Sequence, residues 1–186
     1  MKTIIVATGL SLAALGAAPA SASPSWMSYN RELTHACYDA AALRQSPDGI
    51  KACNSAIITE TTTAGDERMA NLVNRGILLL LANKNNDAGR DFDEALTVDP
   101  RQPEALLGKA IEQWQAGNSG AAASLASESL QYGPRRPAVA YLIRGLANEK
   151  QGQLRAAYDD LQTAQRLEPG WDEPALQLQR YHVVSR

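Results

Sequence analysis

The chain of 186 residues is poor in the side chains that usually carry chemistry: two histidines, two cysteines and a single phenylalanine. His35 and His182 have no histidine neighbour at metal-ligand spacing, and no Cys-x-x-Cys is present. There is no Gly-x-Ser-x-Gly elbow, no phosphate-binding glycine loop and no dinucleotide fingerprint. Neither sign of charge dominates, with 18 Lys+Arg against 20 Asp+Glu and a net charge of -2, which gives no electrostatic ground for a nucleic-acid partner. Hydrophobic residues at 45% and charged residues at 20% exclude a collagen-like, low-complexity or wholly disordered chain. Aromatics amount to only 5% and alanine is abundant, a balance that suits closely packed helices.

One apolar stretch opens the chain. Lys2 precedes an uncharged run from Ile4 to Leu15, and small residues follow up to Ala20-Ser21-Ala22. This charged, apolar and small-residue layout is that of a secretory signal cleaved after Ala22, and the apolar core is short of the ~20 residues of a membrane span. Ser23, not cysteine, follows the expected cut, so no lipid anchor is indicated. Loss of Lys2 leaves 17 basic against 20 acidic side chains and a mature net charge of -3. The mature protein is expected in the periplasm or outside the cell, with no membrane insertion after cleavage.

Pro100, Pro134 and Pro169 recur at intervals of 34 and 35 residues. Ahead of Pro100 stand Leu72, Arg75-Gly76 and Leu79, then Ala88, Phe92 and Ala95. A second copy has Leu106, Lys109-Ala110 and Gln113, then Ala122, Ala126 and Ser129; a third has Tyr141, Arg144-Gly145 and Asn148, then Ala157, Leu161 and Ala164. Small residues at Gly76, Ala88 and Ala95 let two helices approach, with Leu72, Leu79 and Phe92 filling the space beside them. Turn-prone segments at 83–87, 117–120 and 152–153 separate the helices of each copy. The prolines after each second helix stop it, while Pro103 and Pro137 suit a following first turn. This pattern resembles the tetratricopeptide repeat, most closely in the first and third copies.

The resemblance implies an all-α fold, a right-handed superhelical stack of antiparallel helix pairs. Its parts are a signal at 1–22, an N-terminal segment at 23–68 containing a degenerate pair, repeats at 69–102, 103–136 and 138–171, and a capping helix at 172–186. Leu176, Leu178, Tyr181 and Val184 supply the cap with an apolar face. On the same template, Cys37 falls at the glycine site of one helix and Cys53 at the aromatic site of the next, since Gly76–Phe92 and Cys37–Cys53 are both 16 residues apart. A disulfide at this crossing would brace the end repeat, and export favours it; two buried free thiols are the alternative.

In proteins similar to this one the first helices line a groove that holds peptides or partner helices. Carried across by the repeat spacing, the groove residues form three rows: Thr34, Val73, Leu107 and Leu142; Tyr38, Ile77, Ile111 and Leu146; and Leu80, Trp114 and Glu149, with Lys150 beside the last at the edge. Members that clamp the acidic tails of cytosolic heat-shock chaperones carry Lys, Asn and Arg at several such sites. The aliphatic side chains here point instead to an apolar or amphipathic segment, with Trp114 as anchor. The apolar run 76–82 equally suits a buried helix, a groove filled by the chain itself, or self-association.

No catalytic constellation is legible. His35 and Cys37 point to different faces of a helix. The acidic cluster Asp87, Asp91, Asp93 and Glu94 lacks the glycine spacing of a calcium loop. The expected function is a non-catalytic protein–protein interaction module without cofactor or metal. A self-filled structural or oligomerisation module and a small exported enzyme are the alternatives.

Overall fold

The computed structural model describes residues 26–44, 47–59 and 65–181, with side chains from Arg31 onward. The signal segment 1–22, His182 and Val184 lie outside the described residues. Among the described residues there are nine α-helices and no strand: α1 (Trp26–Ala42), α2 (Asp48–Thr59), α3 (Gly65–Leu81), α4 (Asn85–Val98), α5 (Pro103–Gln115), α6 (Ser119–Tyr132), α7 (Pro137–Lys150), α8 (Leu154–Leu167) and α9 (Asp172–Leu178). None is long and apolar enough to cross a membrane.

The turn chemistry repeats with the sequence. Asn83, Gly117 and Gly152 occupy one repeat position between the two helices of each copy, and all three are left-handed, with φ of 57°, 84° and 76°. Glycine takes that conformation without steric cost, and asparagine is the side chain that tolerates it best. Arg44, with φ of 55°, makes the same turn after α1. Pro103 and Pro137 sit in the first turns of α5 and α7, where a missing N–H costs nothing. Helix α7 therefore starts at Pro137. Likewise α3 begins at Gly65, one turn ahead of the expected boundary at 69.

Each helix pair is closed at the crossing that the 16-residue interval defines. Phe92 is fully buried and its ring fills the space left by two glycines. A Cβ on Gly76 would stand 2.5 Å from the ring, and one on Gly108 of the next repeat closer still. Such approaches are far inside van der Waals contact, so only hydrogen fits at both positions. In the degenerate pair the same crossing holds a disulfide, Cys37–Cys53, with Cα atoms 4.5 Å apart and both residues fully buried.

The capping helix is shorter than the expected 172–186 and is seven residues long. Pro174 is buried, and Leu178 and Tyr181 pack with Leu142, Leu161 and Trp171. Leu176 is 53% exposed, because it lies two positions from both Pro174 and Leu178 and so faces away from the side they share. The cap thus presents a narrower apolar face than its sequence suggests.

Candidate functional site: the inner helical face

Helices α1, α3, α5 and α7 touch one another in succession, in addition to their contacts with the intervening helices. They form the inner rail of the stack. The three rows read from the repeat spacing fare differently there. Val73, Leu107 and Leu142 are buried, 4%, 8% and 6% exposed, so they close the seams between helices and offer almost no area to a ligand. Ile77, Leu80, Ile111, Trp114 and Leu146 are half-buried. Each packs on the core from one side: Ile77 and Leu80 against the first-repeat cluster, Ile111 and Trp114 beside Ala110, Ala126 and Ile143, and Leu146 beside Leu142 and Leu161. Tyr38 is exposed and packs in none of the core clusters.

At the far edge Glu149 is bound by Arg180, with Nη2 2.6 Å from Oε2. These two residues, with Leu154, Arg155, Tyr158, Asp159 and Tyr181, line an open cavity of about 560 Å³. The Tyr181 ring lies 5.6 Å from that of Tyr158. Burial and the neighbouring Glu149 carboxylate push the Tyr181 phenol above its ordinary range, because both penalise a second negative charge there.

The acidic cluster of α4 is consumed by ion pairs. Asp87 pairs with Arg90, Asp91 with Arg75, Asp93 with Lys109 and Glu94 with Arg68. Among the described residues no cluster of three metal-ligating side chains occurs. The disulfide takes both thiols, so neither is available as a nucleophile beside His35.

One pairing escaped the sequence reading. Arg75 donates through Nε and Nη2 to the two Asp91 oxygens at 2.7 and 2.6 Å, and its Nη1 bonds Asn54 Oδ1 at 2.8 Å. Arg144 repeats the fork on Asp160, at 2.9 and 2.7 Å. Hydrogen bonding to these carboxylates holds both guanidiniums above their ordinary value, against the opposing effect of burial. The signal was present in the sequence, since Arg and Asp recur 16 residues apart in the first and third copies. It was hidden because the second copy has Lys109 and Leu125 at those positions.

The connections before α7 and α9 carry the remaining charged contacts. Arg135 donates its backbone N–H to Glu104 at 3.0 Å, and its guanidinium stands over the ring of Tyr38, 5.8 Å from the centroid. Arg136 binds Glu168 at 2.6 and 3.2 Å and lies over Trp171 at 5.6 Å. The Glu168 carboxyl is held below the ordinary range, first by its hydrogen bond to Arg136, against a smaller effect of burial, with the charges of Arg136 and Arg44 adding to it.

No family profile matches the chain, and no curated protein sequence matches it. Solved structures do. MamA from Desulfovibrio magneticus RS-1, residues 41 to the end, superposes with a TM-score of 0.63 at 20% identity, covering 83% of this chain and 82% of that one. A second MamA crystal structure gives 0.59 at 16%, covering 80% of each chain. The first tetratricopeptide-repeat domain of Spaghetti (RPAP3), bound to the HSP90 peptide SRMEEVD, gives 0.55 at 21%, covering 60% of this chain and 88% of that one. The likeness extends over most of the described helices, and with the 34-residue period it shows that the chain folds as a tetratricopeptide-repeat-like solenoid.

Proposed function

We propose that this protein is a non-catalytic interaction module of an extracytoplasmic compartment, holding an apolar or amphipathic segment of a partner protein against its inner face. The observation that carries the reading is the pair of apolar rows on α3, α5 and α7. Ile77, Leu80, Ile111, Trp114 and Leu146 are anchored to the core yet reach solvent on the side where the first helices meet. Half-buried aliphatic side chains around one tryptophan make an anchor-and-rim surface, which gains affinity by excluding water. Val73, Leu107 and Leu142 set the spacing of the helices from beneath, and Tyr38 stands at the rim. The peptide-bound state of the RPAP3 domain supports a ligand-binding role for a stack of this shape, though its peptide is acidic and the rows here are aliphatic.

Two facts support residence outside the cytosol: the charged, apolar and small-residue layout of residues 1–22, and the buried disulfide, which persists where thiols are not kept reduced. A mass of the exported protein that begins at Ser23 is the expected outcome.

Trp114→Glu tests the surface. In the native compartment, crosslinked partner should be lost while the melting temperature stays within a few degrees of wild type. A large loss of stability, with no partner captured by the wild type either, refutes the open surface and favours a face that the chain or a second copy fills.

A further inference from the structure

The first helix meets the connection into the third repeat. Between α1 and α7 the inner rail runs through α3 and α5, each touching the next. Helix axes packed side by side stand ~8–10 Å apart, so a straight rail would keep α1 about three such steps from α7. Yet the Tyr38 ring of α1 lies directly under Arg135, two residues before α7 begins. Arg44, in the turn after α1, is close enough for its charge to act on Glu168, the residue that Arg136 binds. The stack has therefore curved back until the N-terminal helix reaches the connections on either side of the third repeat. Ile77, Ile111 and Leu146 belong to the helices enclosed by this return.

We propose that Tyr38 and Arg44, with Arg135, Arg136 and Glu168 opposite, form a clasp that closes the inner face, and that a partner segment reaches the apolar rows by opening it. The clasp itself needs no partner; its gating role rests on the binding surface proposed above. A helix with its side chains is ~10–12 Å across, so it cannot pass between groups that already touch. The contacts are of the kind that can open. Tyr38 is 46% exposed and the Arg135 side chain 68%, and a cation–π contact so exposed is weak; the Arg136–Glu168 pair lies wholly on the far side and holds Glu168 in place. The moving part is α1. Of its described side chains only Cys37 and Ala40 are buried, whereas α3 buries six residues. Among the described residues α1 is held by the disulfide to α2, by a thin apolar seam shared with Leu78 of α3, and by the Asn71 Nδ2 bond to Thr34 Oγ1 at 3.3 Å.

Spin labels placed by non-canonical residues at Asp39 and Gln131, both exposed, leave the cysteines intact and read the separation across the clasp. In the full exported protein at low salt, a single short distance is expected. In Arg135→Ala/Arg136→Ala, and again in Tyr38→Ala, the share of longer distances should rise about threefold, the worth of the one exposed cation–π contact that both remove. Tyr38 touches no core cluster, so its variant keeps the fold if the double variant does not. Identical distance distributions in wild type and both variants, with helix content unchanged, overturn the clasp. Opened variants that bind 8-anilinonaphthalene-1-sulfonate no better than wild type overturn the gating. Loss of the binding surface itself shows separately, as wild type and Trp114→Glu capturing partner equally with these distances unaltered.

Discussion

Phe92 and Gly108 offer a test in which one substitution should change sign with its background. Alanine at position 108 would drive its methyl into the Phe92 ring, which is fully buried and walled on its other side by Gly76. Overpacking of this kind costs about 1–3 kcal/mol, although alanine in a helix interior is intrinsically better than glycine by about 1 kcal/mol. Truncating Phe92 to alanine should itself cost about 3–5 kcal/mol, through lost burial and the void left between α3, α4 and α5. In that background the Gly108→Ala methyl enters the void instead of a ring, so the clash vanishes and the propensity gain remains. Gly108→Ala should then be destabilising alone and stabilising beside Phe92→Ala, with a coupling of about 1–3 kcal/mol, the clash itself, since the propensity gain cancels in the cycle. Urea unfolding of the four proteins, with the disulfide intact, measures the cycle. Equal costs of Gly108→Ala in both backgrounds would falsify the account of this contact and, with it, the view that Phe92 locks the first repeat onto the second.

Three further outcomes follow from the same geometry. Cys37→Ala/Cys53→Ala should cost about 3 kcal/mol for a loop of this length, with hydrogen-exchange protection lost first in α1; alkylation of the wild type without reduction should add no mass. Arg75→Leu leaves Asp91, whose side chain is 7% exposed, without its charge partner, and should cost about 3–5 kcal/mol. Arg75→Leu/Asp91→Leu should recover most of that loss in thermal melts, and a double variant no more stable than the single one would contradict it. Glu168 has a folded pKa below its unfolded one, so its contribution is present above the ordinary carboxylate range and is lost as pH falls through the folded value. A carbon-13 titration of its carboxyl should move toward the ordinary range in Arg136→Ala, and an unmoved titration would remove Arg136 as the cause.

The fold was legible because its punctuation is local. Pro100, Pro134 and Pro169 mark the period, the Asn83, Gly117 and Gly152 turns bisect it, and the Cys37–Cys53 interval copies that of Gly76–Phe92. What depends on curvature was not legible. Repeat spacing assigned Val73 and Ile77 to adjacent rows of one face, but only the packing of successive inner helices buries the first and leaves the second half-exposed. The meeting of Tyr38 with Arg135 spans 97 positions and depends on the summed rotation of several repeats, which no local pattern encodes. Leu176 misled for a simpler reason, since a seven-residue helix has room for one apolar face and Pro174 with Leu178 already defines it.

The crossings at the 16-residue interval show how unequal copies make one cooperative stack. Three helix pairs hold themselves: α1 and α2 by the disulfide, α3 and α4 by Arg75–Asp91 with Gly76–Phe92, α7 and α8 by Arg144–Asp160 with Gly145–Leu161. The middle pair has neither device. Ala110 and Ala126 meet there as bare methyl groups, and Lys109 faces Leu125's position without an acid. Besides the bond from Ser129 Oγ to Pro103 O at 2.8 Å, its polar and aromatic holds come from outside. Phe92 of the preceding repeat enters the gap over Gly108, Lys109 binds Asp93 at 2.8 Å, and Glu104 takes Arg135 from the approach to the next repeat. In a solenoid, stability is the sum of what each repeat contributes and what each interface adds, and here the central repeat draws on its interfaces. The weakest of the three repeat copies is therefore the one that ties its neighbours together, and it cannot melt ahead of them without first giving up Phe92.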